Sequence, residues 1–177
     1  MDMFEKKDYL IVVDMQNDFI TGALGSAEAQ AIVPAVVDLA KSFNPDNICF
    51  TRDTHYESYL DTAEGQHLPV KHCIKGSDGW LVIDELKDAL GWALAYVNKE
   101  TFGYSEWAKV FPDVNQIGSI TLCGVCTDIC VVSNALILKA LYPEVPISVV
   151  ANCCAGVTPE KHEAALETMR SCQINVI

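Results

Sequence analysis

Apolar runs broken by turn residues recur along the chain, and their lengths separate strands from helices. Tyr9–Asp14 (YLIVVD), Asn47–Phe50 (NICF), Trp92–Val97 (WALAYV), Ser119–Cys123 (SITLC) and Pro146–Val150 (PISVV) are continuous and of strand length. Ile174–Ile177 closes the chain in the same way. Strands buried on both faces read like this, without the polar alternation of a half-exposed sheet. The stretches between them carry helical signals. Ala27–Phe43 is rich in Ala, Val and Leu, with Pro34 an expected irregularity near its first turns. Ser105–Phe111 has room for a short helix. Thr127–Leu141 repeats apolar residues at Ile129, Val132, Leu136 and Ala140. Thr158–Ser171 opens with Thr as N-cap and Pro159 at the first helical position. This alternation predicts an α/β fold, a three-layer α/β/α sandwich with a mostly parallel sheet of about six strands.

One segment breaks the pattern. From Asp53 to about Trp80 the chain is polar, has little periodicity and holds three of the four histidines. A loop that long inside a compact domain is usually functional. Nothing else resembles a linker, repeat or low-complexity tract, so residues 1–177 read as one domain.

Composition narrows the partners. Half the residues are hydrophobic and 20% are charged, which describes a globular chain. Twelve basic residues against twenty-four acidic ones give a net charge of −12. Such a surface lacks the clustered cations that bind nucleic acid, and an anionic membrane would repel it. No run approaches the roughly 18–20 apolar residues of a transmembrane helix. MDMFEKKDYL is too polar for a signal peptide, so the eight cysteines are expected as reduced thiols in the cytoplasm. Cys49, Cys123 and Cys153 lie within apolar runs and read as small buried hydrophobes.

Four strand ends carry reactive side chains: Asp14, the Asp53–His55 pair, Lys99 and Cys130. Ligands of open parallel sheets bind outside the carboxyl ends of the strands, so one pocket is expected to receive all of them. If Thr127 caps its helix, Cys130 falls in the first turn, where the helix dipole favours thiolate. Cys126, in the turn itself, competes on position alone. Asp14 and Lys99 near one thiol would give a general base and a thiolate-favouring cation. Asp53 and His55, two apart in an extended segment, point the same way. Glu64 and His72 would complete a mixed nitrogen and oxygen set suited to zinc, manganese or iron, with His67 near enough to replace either neighbour. His162, within the last helix, is expected to face solvent.

These residues resemble the cysteine hydrolase superfamily that includes isochorismatases and nicotinamidases. The resemblance spans the chain, through VVDMQNDFITGALG, TRDTH with a later EGQHLPVKHC, NKETFGYS and GVCTDICV in that order. It implies a catalytic triad of Asp14, Lys99 and Cys130, which favours Cys130 over Cys126. It further implies a cis peptide at Val125–Cys126 and an oxyanion hole from the backbone N–H groups of Cys126 and Cys130. Asp53, His55, Glu64 and His72 match the ligands of one divalent ion, zinc foremost, with manganese or iron as alternatives. Phe19, Leu68 and Cys126 match substrate-binding positions. Leu68-Pro69-Val70 lacks an aromatic that some nicotinamidases have there, so Phe102 or Tyr104 is expected to supply the second wall.

The implied activity is hydrolysis of nicotinamide to nicotinate and ammonia through a cysteine thioester, a step of NAD salvage. The implied partners are a small amide substrate and further copies of the chain in a homo-oligomer. Alternatives are a related amidohydrolase of another small amide or ureido compound, a non-catalytic binding module of the same fold, and a hydrolase working through the metal alone.

Overall fold

The structure is a computed structural model that describes residues 6–90 and 93–177. Its centre is a six-stranded, all-parallel sheet in the order β3-β2-β1-β4-β5-β6. The strands are β1 (Lys7–Val13), β2 (Ile48–Asp53), β3 (Ala95–Lys99), β4 (Ile117–Val125), β5 (Ile147–Ala155) and β6 (Asn175–Val176). Leu10, Ile11, Val12 and Val13 of β1 are all fully buried, as a central strand covered on both faces requires. The chain adds β2 and β3 on one side of β1, then returns to lay β4 on the other. The sheet therefore reverses its order between β1 and β4, and that reversal opens the crevice in which such folds bind ligands.

Helices α1 (Asn17–Ile20), α2 (Ala27–Ala31) and α3 (Val33–Lys41) follow β1, while α4 (Ala63–His67) and α5 (Asp84–Leu90) lie between β2 and β3. Helix α6 (Trp107–Val110) precedes β4, α7 (Val132–Leu141) follows it, and α8 (Pro159–Ser171) links β5 to β6. α3 packs against α5 and α7 against α8, and β5 touches both α3 and the α7–α8 pair. Right-handed crossovers running in opposite directions from β1 and β4 put these two sets on opposite faces. Trp107, fully buried, stacks on Phe111 and anchors the segment after β3. No helix among the described residues is long and apolar enough to cross a membrane.

Several boundaries differ from the sequence reading. The stretch expected as one helix over Ala27–Phe43 is two, because Ile32 interrupts it and Pro34 lies in the first turn of α3, where its missing N–H costs nothing. β3 runs on to Lys99, two residues past the expected Val97, and alternates exposed with buried as an edge strand does. The expected start of that strand at Trp92 lies outside the described residues. α5 was not expected, since its polar first turn continues the polarity of the preceding loop. α8 opens as predicted, with the Thr158 hydroxyl accepting from the Lys161 amide.

Candidate active site

The strand register assembles the polar cluster. Val12 pairs with Phe50, so the next residues, Asp14 beyond the end of β1 and Thr51 in β2, come together. Asp14 adopts a left-handed backbone, φ 48°. The Thr51 hydroxyl donates to Asp14 Oδ1 at 2.6 Å, and the Asp14 amide donates to that hydroxyl at 3.2 Å. Asp53 pairs directly with Lys99 across β2 and β3. Lys99 Nζ lies 2.6 Å from Asp14 Oδ2, 3.3 Å from Asp53 Oδ1 and 3.4 Å from Cys130 Sγ. The 2.6 Å contact is an ion pair off hydrogen-bond alignment. Asp14 Oδ2 is consequently the one buried side-chain oxygen without an aligned donor among the described residues. The Cys130 thiol stands beside that carboxylate.

Cys130 belongs to a single π-helical turn, Thr127–Val131, that joins β4 to α7. Gly124 lets the turn begin there, because its φ is +115° and a Cβ would stand 2.1 Å from the Val13 carbonyl oxygen of the neighbouring strand. The Val125–Cys126 peptide that follows is cis. Cys126, extended, occupies the cap position expected for Thr127, and its carbonyl accepts from the amides of Ile129 and Val131 at 3.1 and 3.0 Å. Thr127 is already helical, and its hydroxyl pairs with His162 instead of capping. His162 is therefore half-buried and bonded, where solvent was expected.

Electrostatics revise one expectation. The Cys130 thiol is held well above the ordinary cysteine range, first by burial and then by the Asp14 carboxylate, and Lys99 only partly offsets them. The helix-terminus argument for a standing thiolate fails because burial outweighs it. Burial likewise raises Asp14, against the pull of Lys99. Burial would lower Lys99, but Asp14, Cys130 and Asp53 hold its ammonium well above the usual range, so its charge is fixed. A neutral thiol thus faces a carboxylate of raised basicity, next to a permanent cation.

Beside this cluster, donor atoms of Asp53, His55, Glu64 and His72 lie within 4.8 Å of one another. His55 Nε2 is 2.9 Å from Asp53 Oδ2 and 3.5 Å from Glu64 Oε1, and His72 Nε2 is 3.4 Å from Asp53 Oδ2. His72 is oriented by its other nitrogen, 2.8 Å from the Val70 carbonyl, which directs Nε2 to the shared centre. His55 is pinned by a short parallel bridge to Ile74, its amide donating to Cys73 O. Thr62 caps α4, accepting from the Gly65 amide and so placing Glu64 in the first turn of that helix. Burial raises Glu64 and Asp53 adds to this, while the two histidines overcome the burial of Asp53 and pull it below the carboxylate range. Two carboxylates and two imidazoles, converging and largely buried, fit a divalent cation. His67 does not join them; it is exposed, with Nδ1 bonded to the Ala63 carbonyl.

Both clusters open on one cavity of about 350 Å³. Phe19, Leu68, Phe102, Cys126 and Cys130 line it together with Asp53, Glu64 and His72. Phe19 meets His72 edge-on at 5.6 Å. Tyr104 is not part of the lining; it packs edge-on against Trp107, and its amide donates to Asn134. Of the two residues expected for the second wall, only Phe102 reaches the cavity.

Three supporting residues escaped the sequence reading. Gln16, fully buried, donates to Asp53 O and Trp80 O and accepts from the Asp53 amide, bracing the ends of β1 and β2. Thr51 holds Asp14. Asn134, fully buried, donates to the Cys130 carbonyl at 2.8 Å and accepts from Tyr104 N and Trp107 Nε1, tying the turn that carries Cys130 to the segment after Lys99. The expected stripe of Ile129, Val132, Leu136 and Ala140 is not the buried face, which runs through Val131, Asn134, Ala135 and Leu138, so periodicity offered no signal for Asn134.

A family model described as "Isochorismatase domain" matches residues 8–177. Among characterised relatives, the chain is 27% identical over 182 residues to a nicotinamidase/pyrazinamidase of Mycobacterium tuberculosis, covering 95% of this chain and 97% of that protein. Its structure resembles that of a nicotinamidase/pyrazinamidase from Bacillus subtilis, with a TM-score of 0.82, 28% identity and coverage of 96% and 98% of the two chains. It also resembles a pyrazinamidase of Pyrococcus horikoshii solved in complex with zinc, with a TM-score of 0.77, 30% identity and coverage of 96% and 98%.

Proposed function

Since the chain belongs to the isochorismatase family, we propose that it is a nicotinamidase, a cysteine-dependent amidohydrolase that converts nicotinamide to nicotinate and ammonia in NAD salvage. The observation that carries the reading is the single cavity shared by the Asp14–Lys99–Cys130 cluster and the Asp53–His55–Glu64–His72 cluster.

In this mechanism Asp14 takes the thiol proton of Cys130, and the sulfur attacks the carboxamide carbon. Burial raises the Asp14 carboxyl, which makes it the stronger base, and it raises the Cys130 thiol as well. The developing oxyanion is received by the backbone N–H groups of Cys126 and Cys130, the kind of fixed dipoles that stabilise acyl-transfer intermediates. Asp14 returns its proton to the departing nitrogen, ammonia leaves, and a thioester remains on Cys130. Asp14 then accepts a proton from water as it attacks the thioester, which releases nicotinate and restores the thiol. Lys99 keeps its charge throughout and orients both acidic groups. Asp53, His55, Glu64 and His72 would hold the divalent ion, zinc foremost with manganese or iron as alternatives, and when bound it supplies a Lewis-acidic position for the pyridine nitrogen. Phe19 and Phe102 flank the ring, with Leu68 closing the outer wall.

The reading includes a single domain over residues 1–177, a cytoplasmic location, a homo-oligomeric state and no nucleic-acid partner, the last supported by the net charge of −12. A second reading, hydrolysis of another small carboxamide or ureido compound, is favoured by the aliphatic Leu68 and by Tyr104 lying outside the cavity. Ammonia release from nicotinamide by wild type and Cys130→Ala, each with and without chelator, tests the proposal. Turnover that needs Cys130 and weakens on chelation supports it, and a metal-replete wild type silent on nicotinamide rejects it.

A further inference from the structure

The start of α8 is fastened to the turn that carries Cys126 and Cys130. Thr127, first in that turn and fully buried, shares a 2.8 Å hydrogen bond with His162 Nδ1. One residue on, Asp128 Oδ1 accepts from the Val157 amide at 2.9 Å. The approach is close, because a Cβ on Gly156 would stand 2.9 Å from His162 Cβ and 3.0 Å from Asp128 Oδ1. His162 is itself held, its amide donating to the Thr158 carbonyl at 2.9 Å. Yet His162 is not among the residues that line the cavity.

We propose that His162 is a positioning residue, which through Thr127 sets the orientation of the turn that presents the Cys126 and Cys130 backbone N–H groups to the reacting carbonyl. The inference rests on the cysteine-hydrolase reading of that turn. Thr127 has no access to water, so without His162 its hydroxyl would be orphaned and the first residue of the turn would lose its anchor. Donors aimed at a developing oxyanion are effective only in a fixed geometry, and small displacements cost rate more than affinity. Proton transfer from Cys130 to Asp14 does not use those amides. Thr51 of β2 and Lys99 of β3 hold Asp14 without drawing on Thr127 or His162, so the two functions separate.

The test compares His162→Phe, His162→Asn, Thr127→Val and the double variant His162→Phe/Thr127→Val. Each is measured for kcat and KM of ammonia release, for the rate of Cys130 alkylation by iodoacetamide read on the tryptic peptide, and for Tm. In His162→Phe and Thr127→Val, kcat is expected to fall about tenfold or more with KM changed by less than about twofold. Alkylation of Cys130 stays at the wild-type rate. His162→Asn, whose side-chain amide can reach the Thr127 hydroxyl, keeps kcat within about threefold of wild type, and the double variant is no slower than either single one. An unchanged kcat in His162→Phe overturns the proposal, as do additive losses in the double variant. Parallel falls in alkylation, kcat and Tm that His162→Asn does not repair also overturn it. A wild type silent on nicotinamide but active on another amide rejects the nicotinamidase reading alone, and the same comparison on that amide still decides the role of His162.

Discussion

The Thr51 hydroxyl donates to Asp14 Oδ1 at 2.6 Å while Lys99 Nζ stands 2.6 Å from Oδ2, so both oxygens of the carboxylate expected to move the proton are held in place. A residue of β2 thereby fixes the orientation of the residue that ends β1. Thr51→Val keeps the shape and removes the bond. It should lower kcat by about tenfold, a fraction of what a positioned base contributes. A hydrogen bond to a charged group is worth about 1.5–3 kcal/mol, and each kcal/mol shifts Tm by about 2–4 °C in a chain of this size. Thermal unfolding together with steady-state kinetics checks both expectations.

Asp14→Asn should separate turnover from thiol reactivity. Turnover falls by about a hundredfold to ten-thousandfold, the usual worth of a positioned base. Alkylation of Cys130 near neutral pH does not fall with it, because the Asp14 carboxylate helps hold the thiol up in the wild type and its loss leaves Lys99 to favour thiolate. Cys172, exposed at the C-terminal end of α8, alkylates at the wild-type rate and serves as the internal control. Mass spectrometry of the two peptides decides the matter, and Cys130 labelling that slows in step with turnover in Asp14→Asn would contradict this account.

Lys99→Met leaves Asp14 and Asp53 buried without their shared cation. Breaking a buried pair on one side costs about 3–5 kcal/mol, or roughly 6–20 °C in Tm. The pH dependence has a definite sign. Burial raises Asp14 and Lys99 pulls it down in the wild type, so in the variant Asp14 titrates higher still. A carboxyl raised in the folded state is stabilising while protonated and loses that contribution as pH rises through its folded value. The Tm deficit of Lys99→Met should therefore be larger at pH 8 than at pH 5. Lys99 itself is held above its ordinary value and stays charged across that window, so its titration adds nothing to the slope. Equal deficits at both pH values would contradict this account.

His72→Ala removes an imidazole whose second nitrogen is already fixed by the Val70 carbonyl. Metal content measured on the purified variant should drop by about tenfold or more, since an oriented imidazole ligand and its outer partner carry much of a site's affinity. His67→Ala, altering an exposed imidazole outside the cluster, should leave metal content unchanged. Chelation should lower the Tm of wild type, because an ion that binds only the folded chain stabilises it by mass action. The Tm of His72→Ala should then be insensitive to chelator.

The charged members of the site were legible because charge at the end of an apolar strand is conspicuous. Asp14, Asp53 and Lys99 each interrupt a run that would otherwise be buried, and the parallel register brings them together without further information. Gln16, Thr51 and Asn134 were not legible. Each is an uncharged polar residue, and what makes it important is a partner on a distant segment that no local pattern names. The helix over Ala27–Phe43 was visible, but its division at Ile32 was not, since Pro34 is compatible with both a kink and a new start. The thiolate expectation for Cys130 failed for a related reason: helix position can be read locally, whereas burial and the neighbouring Asp14 belong to the tertiary fold.

The sheet order carries a consequence for how activity arises during folding. Asp14 and Lys99 stand at the ends of β1 and β3, Cys130 follows β4, and β1 lies between β2 and β4. The residues that meet at Lys99 Nζ therefore lie 31 to 85 positions from Lys99 along the chain, with contacts of this range among the slowest to form. No single hairpin, helix pair or strand–helix–strand unit contains the site. Catalysis is accordingly a report on completed topology: a nascent or partly unfolded chain that has kept its secondary structure but not closed β4 onto β1 will have none. Regain of turnover after dilution from denaturant should then lag behind regain of helical signal, making the enzyme its own late-stage folding probe.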